Sequence, residues 1–288
     1  MLDELRHFLL TAEHGTVTEA ARRAHLSQPA LSASLKRLEA HFGATLLHRG
    51  RSGAELTAAG SALLPRAQAV LAAFGDALSA VREVEGLQSG QVRIGAGGTV
   101  ATYMLPQLLA RYRKQNPKVR IVLSEMTPEQ ARDGVDRGDL DIAIVGGGSG
   151  ERWGSDAFIL VGARRCRPER KAFPFVTFLQ GTSTRQALDQ TFPNAEIVME
   201  LASIATVKRH VRAGIGIALI SDAAVQVELA NQRLHLLPHP LTPLRRDLFL
   251  VHRGQELLSP AAASVRALLL AHPPRPGGGK AKPSRRRL

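Results

Sequence analysis

At 288 residues, with 44% hydrophobic residues and a formal net charge of +13, the chain is long enough for two or three packed domains, and its composition excludes general disorder. The positive excess favours a polyanionic partner such as nucleic acid, although Arg275, Lys280, Lys282, Arg285, Arg286 and Arg287 carry six of those charges within the last sixteen residues. The single cysteine, Cys166, rules out an intramolecular disulfide framework and a multi-cysteine metal site, and no apolar run reaches the roughly 18 residues of a membrane span.

The chain begins on an amphipathic segment without the features of a signal peptide, so a cytoplasmic protein is expected. Leu2, Leu5, Phe8 and Leu9 recur at spacings of three and four and predict a first helix that stops near His14 and Gly15. "TVTE", from Thr16 to Glu19, fits a capping box, in which the threonine hydroxyl and the glutamate each satisfy a free backbone N–H. A short second helix with small Ala20, Ala21 and Ala24 follows. In "HLSQPALSASLKRLEAHFG", Ser27 is the expected N-cap, Pro29 sits where a helix has no internal N–H bonds to lose, and Gly43 is the expected C-cap. Leu31, Leu35, Leu38 and Phe42 form the expected buried stripe, while Gln28, Ser32, Ser34, Lys36 and Arg37 form the outer face. Two short helices joined by a tight turn, the second polar and basic outside, make a helix-turn-helix, and its outer face is expected to touch DNA. Arg49 and Arg51, around Gly50 and Gly53, suit a β-wing resting on phosphate.

From Thr57 to about Glu85 runs one long helical pattern. Leu64, Ala67, Leu71, Phe74, Leu78 and Val81 step by three and four, the seam of a coiled coil that needs a partner helix. Pro65 is expected either to kink this helix or to mark its first turn. After a hinge at residues 86–91, strands and helices alternate in two successive parallel α/β units, which suggests two lobes with a cleft between them. Residues 272–288 are Pro, Gly and Lys/Arg rich and are expected to be a disordered tail. The domain boundaries that follow are 1–58 for DNA binding, 59–90 for the linker helix and hinge, 91–271 for the two lobes, and 272–288 for the tail.

At "AARRAHLSQPALSASLKRLEAHFGATLLHR", "LTAAG", "LLARYRKQNPKVRI" with "GDLDIAIV", and "VKRHVRAGIGIALIS", the sequence resembles the LysR-type transcriptional regulators over roughly residues 2 to 268. The resemblance implies an N-terminal winged helix-turn-helix, a dimerising linker helix and a C-terminal two-lobe α/β domain like the periplasmic binding proteins. It further implies a homodimer or homotetramer that binds promoter DNA and changes DNA bending or RNA polymerase contact when a small molecule occupies the cleft. Between Asp141 and Phe173 the sequence departs from the family: the usual crossover segment is not recognisable, and a compressed hinge side of the cleft is expected.

For DNA, Ser27, Gln28, Pro29 and Ser32 match the family positions at the start of the recognition helix. Gln28 is the expected base reader, because a glutamine can bond adenine N6 and N7 together. Ser32, Lys36, Arg37, Arg49 and Arg51 suit phosphate contacts, which give affinity without sequence choice. For the effector, Gly98, Thr99 and Val100 in "GAGGTVATYMLP" stand at a strand-to-helix turn, where free N–H groups favour an anion. Thr182 and Ser183 in "GTSTRQ" and Ser203 in "ASIATV" repeat that geometry in the second lobe, and by resemblance all three starts face the cleft. The plainer alternative is that these hydroxyls are only N-caps. Gly95 and Gly97 fit two positions of a dinucleotide fingerprint, but Val100 takes the third, so no nucleotide cofactor is expected. Cys166 has basic neighbours but no second cysteine for redox sensing, and Pro238 breaks the helix that would align His235 and His239 on a metal. No nucleophile elbow, P-loop or paired carboxylate supports an enzyme. The remaining alternative is an architectural DNA-binding protein without effector control, for which the basic tail is the best argument.

Overall fold

The computed structural model describes residues 1–50, 53–84, 90–164 and 174–274. The chain divides into two compact units, the first chiefly Met1–Ser89 and the second chiefly the chain from Gly90 onward. Arg51, Cys166, most of the hinge and the basic tail from Arg275 lie outside the described residues, as does the side chain of Arg49.

In the first unit, α1 (Leu2–His14), α2 (Val17–Arg23) and α3 (Gln28–Phe42) pack around Leu5, Phe8, Ala20, Ala21, Leu31, Leu35 and Leu38. The sequence signals act locally. The Thr16 hydroxyl accepts from the Glu19 N–H at 3.2 Å and the Ser27 hydroxyl from the Ala30 N–H at 3.3 Å, so each helix start is capped by its own chain. The capping box is only half formed, however, because Arg22 and Arg23 draw the Glu19 carboxylate away from Thr16. Gly15 and Gly43 end α1 and α3 in the left-handed region that glycine adopts without strain.

Two residues of α3 exchange the places expected of them. Ser34 is buried against α1, its hydroxyl 2.7 Å from His7 Nδ1, and Phe42 is 47% exposed. The helix turns about 100° per residue, so position 34 falls beside Leu31, Leu35 and Leu38, whereas 42 lies past the last core contact, next to the Gly43 cap.

The wing is a hairpin of β1 (Leu47–Gly50) and β2 (Gly53–Leu56). The Glu39 carboxylate accepts from the N–H groups of Leu46 and Leu47 at 2.9 and 3.3 Å, tying the strand to the end of α3. Ala54 N–H donates to the Gly15 carbonyl at 2.6 Å, and a side chain at Gly53 would collide with that carbonyl.

The long helix α4 (Ala58–Val84) contains Pro65 in its interior rather than in its first turn. Its apolar seam divides. Leu64, Ala67 and Leu71 pack on the helix-turn-helix core, while Phe74, Leu78 and Val81 are 42%, 44% and 62% exposed.

The second unit begins with β3 (Gln91–Ala96), a π-helical turn (Val100–Met104), α5 (Pro106–Gln115), β4 (Arg120–Glu125), α6 (Pro128–Arg137) and β5 (Ile142–Gly146). β4, β3 and β5 are parallel, as the alternating pattern predicts. β6 (Glu151–Gly162) then leads to the second lobe: β7 (Phe175–Phe178), α7 (Ser183–Thr191), β8 (Ile197–Leu201), α8 (Ile204–Ala213), β9 (Ala218–Ser221), α9 (Gln226–Ala230) and β10 (His235–Leu236). β11 (Leu244–Val251) returns to the first lobe, and α10 (Pro260–Ala271) follows.

The crossover expected to be missing is β6, a strand of 12 residues. Its first half pairs antiparallel with β11 and its second half with β9, while β11 also pairs antiparallel with β5. These two strands therefore belong to both lobes. Trp153 anchors β6, buried with its Nε1 donating to the Leu269 carbonyl of α10 at 2.8 Å. The segment is unusual in sequence but keeps a long apolar run, Ala157 to Val161, that a strand buried on both faces requires.

Candidate nucleic-acid interface and effector cleft

At the start of α3 the structure brings Ser27, Gln28 and Pro29 together on the surface, with Lys36 and Arg37 exposed further along the helix and Ser32 half-buried between them. The Ser27 hydroxyl is used as the cap, whereas no side chain among the described residues pairs with Gln28 or Lys36. Arg37 is held by Glu4 of α1 at 3.1 Å. Exposed Ser27, Gln28 and Pro29, at the start of a helix that its own core holds rigidly, can reach into a groove about 12 Å wide.

The second unit contains a cleft of about 200 Å³ at the carboxyl ends of the strands, where ligands bind in open α/β sheets. Gly98, Thr99 and Val100 line one wall and Thr182, Ser183 and Thr184 the other. Ser203 does not line it, although its neighbours Ala202 and Ile204 do. The Ser203 hydroxyl accepts from the Thr206 N–H at 3.3 Å and lies 2.9 Å from the Thr206 hydroxyl, so it serves as a cap. The Thr182 hydroxyl is likewise consumed, accepting from Arg185 N–H at 3.2 Å and donating to the Leu179 carbonyl at 3.0 Å. What the start of α7 offers to the cleft is its backbone N–H groups, since Arg185 in the same turn is buried and engaged by Asp189 and Glu200.

The start in the first lobe differs. The chain leaves β3 into a π-helical turn, and Glu125 from the end of β4 lays its carboxylate against Gly98, where a side chain would collide with it. The anion cradle expected at Gly98 and Thr99 thus already has a negative group beside it.

The cation of the cleft is Arg246, on β11. Its Nε and Nη2 donate to the Asp156 carboxylate of β6 at 3.1 and 2.7 Å, and its plane stacks on Phe158 at 4.2 Å. Asp156 also accepts from the Ser221 hydroxyl at 2.9 Å. Burial lowers the proton affinity of Arg246 and Asp156 opposes that effect, while burial together with the Asp156 charge pushes Asp222 above its ordinary carboxylate value. Arg246, Glu125 and Asp156 escape a sequence reading that searches helix starts, whereas Gln130 stands in the first turn of α6, a helix start that the reading passed over. The one signal for Arg246 was a charge within the apolar alternation of "LRRDLFLV".

Residues 2–61 match the bacterial regulatory helix-turn-helix proteins of the lysR family, and residues 85–274 match the LysR substrate binding domain. The chain belongs to the LysR family. It is 31% identical to the HTH-type transcriptional regulator CfxR of Cupriavidus necator, over 94% of this chain and 91% of that protein. A probable RuBisCO transcriptional regulator of Synechocystis is 28% identical over 91% of this chain and 84% of its own length. In fold it is similar to full-length CbnR complexed with its target DNA, with a TM-score of 0.63 at 20% identity, covering 93% of this chain and 98% of that one. This LysR-family chain is thus a DNA-binding transcriptional regulator with an effector-binding domain. No helix among its described residues is long and apolar enough to cross a membrane.

Proposed function

We propose that the protein reads promoter DNA through the start of α3 and adjusts its activity to a small anionic effector held between the two lobes. The observation that supports the effector class is Arg246: a buried guanidinium at the cleft wall, opposite the free N–H groups of α7, favours a carboxylate or phosphate. In this reading Gln28 contacts a base edge, with Ser27, Pro29 and Ser32 fitting the helix into the groove. Lys36, Arg37, Arg49 and Arg51 lie on phosphate, with Arg37 exchanging Glu4 for DNA. Gly98, Thr99, Val100, Thr182 and Ser183 contribute the cleft walls, and Ser203 acts only by starting α8.

The exposed Phe74, Leu78 and Val81 of α4 pair with the same helix of a second copy, giving a homodimer or a homotetramer in the cytoplasm. Two recognition helices then meet successive major grooves about 34 Å apart, so the target is an interrupted inverted repeat, and effector binding alters DNA bending or polymerase contact. The relatives named for RuBisCO genes make DNA beside carbon-fixation genes the first to try, and the 2-PG bound to the CcmR regulatory domain of Synechocystis, similar in fold with a TM-score of 0.57, belongs among the ligands screened.

A footprint of the purified protein on DNA upstream of its own gene, at two salt concentrations and with and without candidate anions, tests the reading. The expected result is protection of an inverted repeat that survives the higher salt and changes in extent with one anion. Diffuse protection that collapses with salt, as phosphate-dominated binding does, and ignores every anion would support architectural binding instead.

A further inference from the structure

Every cleft residue considered so far favours negative charge except one. Glu125 lines the cleft, and no side chain among the described residues pairs with its carboxylate. Arg246 lies on β11 and Glu125 on β4, with β5 and β3 between them in the sheet, so about 14 Å of strand spacing separates them laterally, and the register sets Arg246 a further four residues along the strands, since Glu125 is level with Leu250. Both side chains reach the same cavity of about 200 Å³.

The two charges are presented differently. Arg246 has only 14% of its side-chain surface exposed, and Asp156 occupies its Nε and Nη2, which leaves Nη1 beside Gly146 at the cavity wall. Fixed in this way, it offers N–H groups in one direction. Glu125 accepts hydrogen bonds but can donate none while ionised. A ligand that places a second negative group against it meets repulsion, and one that places a methyl group there desolvates the carboxylate without compensation.

We infer that the cleft is polarised and selects a small acid that carries a hydrogen-bond donor, a hydroxyl or an ammonium, at the end away from its anionic group. The anion lies on Arg246 Nη1 and the N–H groups of α7, and the donor lies on the Glu125 carboxylate. This rests on the reading of the cleft as an anion site and adds the specificity: Glu125 favours donor-bearing acids over the simple anions that Arg246 alone would accept equally.

The test is calorimetric titration of the full-length protein with matched probes: propanoate, 3-hydroxypropanoate and β-alanine, and ethyl phosphate with phosphoethanolamine. Each set keeps one anion and one skeleton and varies only the donor. The expected result is binding of the donor-bearing member about tenfold tighter in at least one set, as suits a hydrogen bond to a charged group. Glu125→Gln should reduce that ratio towards one while leaving affinity for the simple anion equal or stronger. Arg246→Gln should weaken every probe. Because that variant leaves Asp156 buried without its partner, Asp156→Asn with Arg246→Gln serves as a second variant whose folding is checked by thermal unfolding. Equal affinity within both sets, or a ratio unchanged by Glu125→Gln, overturns this inference and leaves the anion site standing. Absence of binding by every probe, or indifference to both Arg246 variants, overturns the anion site and this inference with it.

Discussion

The recognition helix and the effector cleft are both built on helix starts, and they use them in opposite ways. At α3 the Ser27 hydroxyl satisfies the Ala30 N–H, and the chain beyond it projects Gln28, Pro29 and Lys36 into solvent, so the side chains face the partner. At α7 and α8 the hydroxyls of Thr182 and Ser203 are turned back onto their own helices, and only backbone N–H groups remain for a ligand. A helix start of the second kind carries a fractional charge of roughly half a unit and little shape. It needs a full charge from elsewhere to become selective, and in this molecule that charge comes on the crossover strands.

The sharpest way to break the cleft side of this comparison is to remove its charge. Arg246→Gln leaves Asp156 in the interior without its ion partner, an imbalance that typically costs about 3–5 kcal/mol. Thermal unfolding of the second unit should register the loss, and adding Asp156→Asn should return much of it. On the DNA side the largest effect comes from the core behind the helix. Leu35 is fully buried, and Leu35→Ala should destabilise the first unit by about 2–5 kcal/mol, with loss of DNA binding to all sequences alike. A Leu35→Ala protein that kept its melting temperature, or that still bound its target with full sequence preference after losing stability, would contradict the claim that the core orients the face.

Smaller effects separate reading from holding. Gln28→Ala should leave stability unchanged and lower discrimination between the target and a single-base variant by about 1–3 kcal/mol. Lys36→Ala should weaken all DNA equally and reduce the slope of log affinity against log salt by about one. Equal loss on both sequences for Gln28→Ala would move that residue into the holding group.

The same contrast explains how much of the molecule was legible. The first unit was readable nearly to the residue because its determinants lie within a few turns of one another, in caps, terminal glycines and leucine spacing. Its misreadings were local as well: Ser34 was assigned to the outer face although helix phase sets it beside the leucines, and Phe42 keeps the phase of the buried stripe but lies at the helix end, past the last core contact. In the second unit the parallel strands and their helices were readable for the same reason. The crossovers were not, since β6 and β11 are recognisable only through pairing with each other, with Asp156 and Arg246 90 residues apart in the chain. Helix starts marked the cleft walls at Gly98, Thr99, Thr182 and Ser183. The charges that give those walls their chemistry, Arg246 and Glu125, come from strand ends that no local pattern points to.

The smallest expected effect concerns the polar cluster behind Arg246. Asp222 is buried, its Oδ2 has no hydrogen-bond partner among the described residues, and its Oδ1 accepts from Gln226. Burial first, and then the neighbouring Asp156 charge, raise its pKa above the ordinary 3.8. A carboxyl with a raised folded-state pKa binds its proton more tightly in the native than in the unfolded chain, so its contribution to stability is fully present below the ordinary value and is lost as pH rises through the raised one. Asp222→Asn keeps an oxygen for Gln226 and removes the titration. The variant should therefore melt above the parent at neutral pH, with the difference shrinking as the pH is lowered toward 4 and closing below about 3.8. A melting difference that stayed constant across this range would mean that the Asp222 carboxylate is compensated in the native state. The cluster would then carry two full negative charges against Arg246, a weaker base for attracting an anion into the cleft.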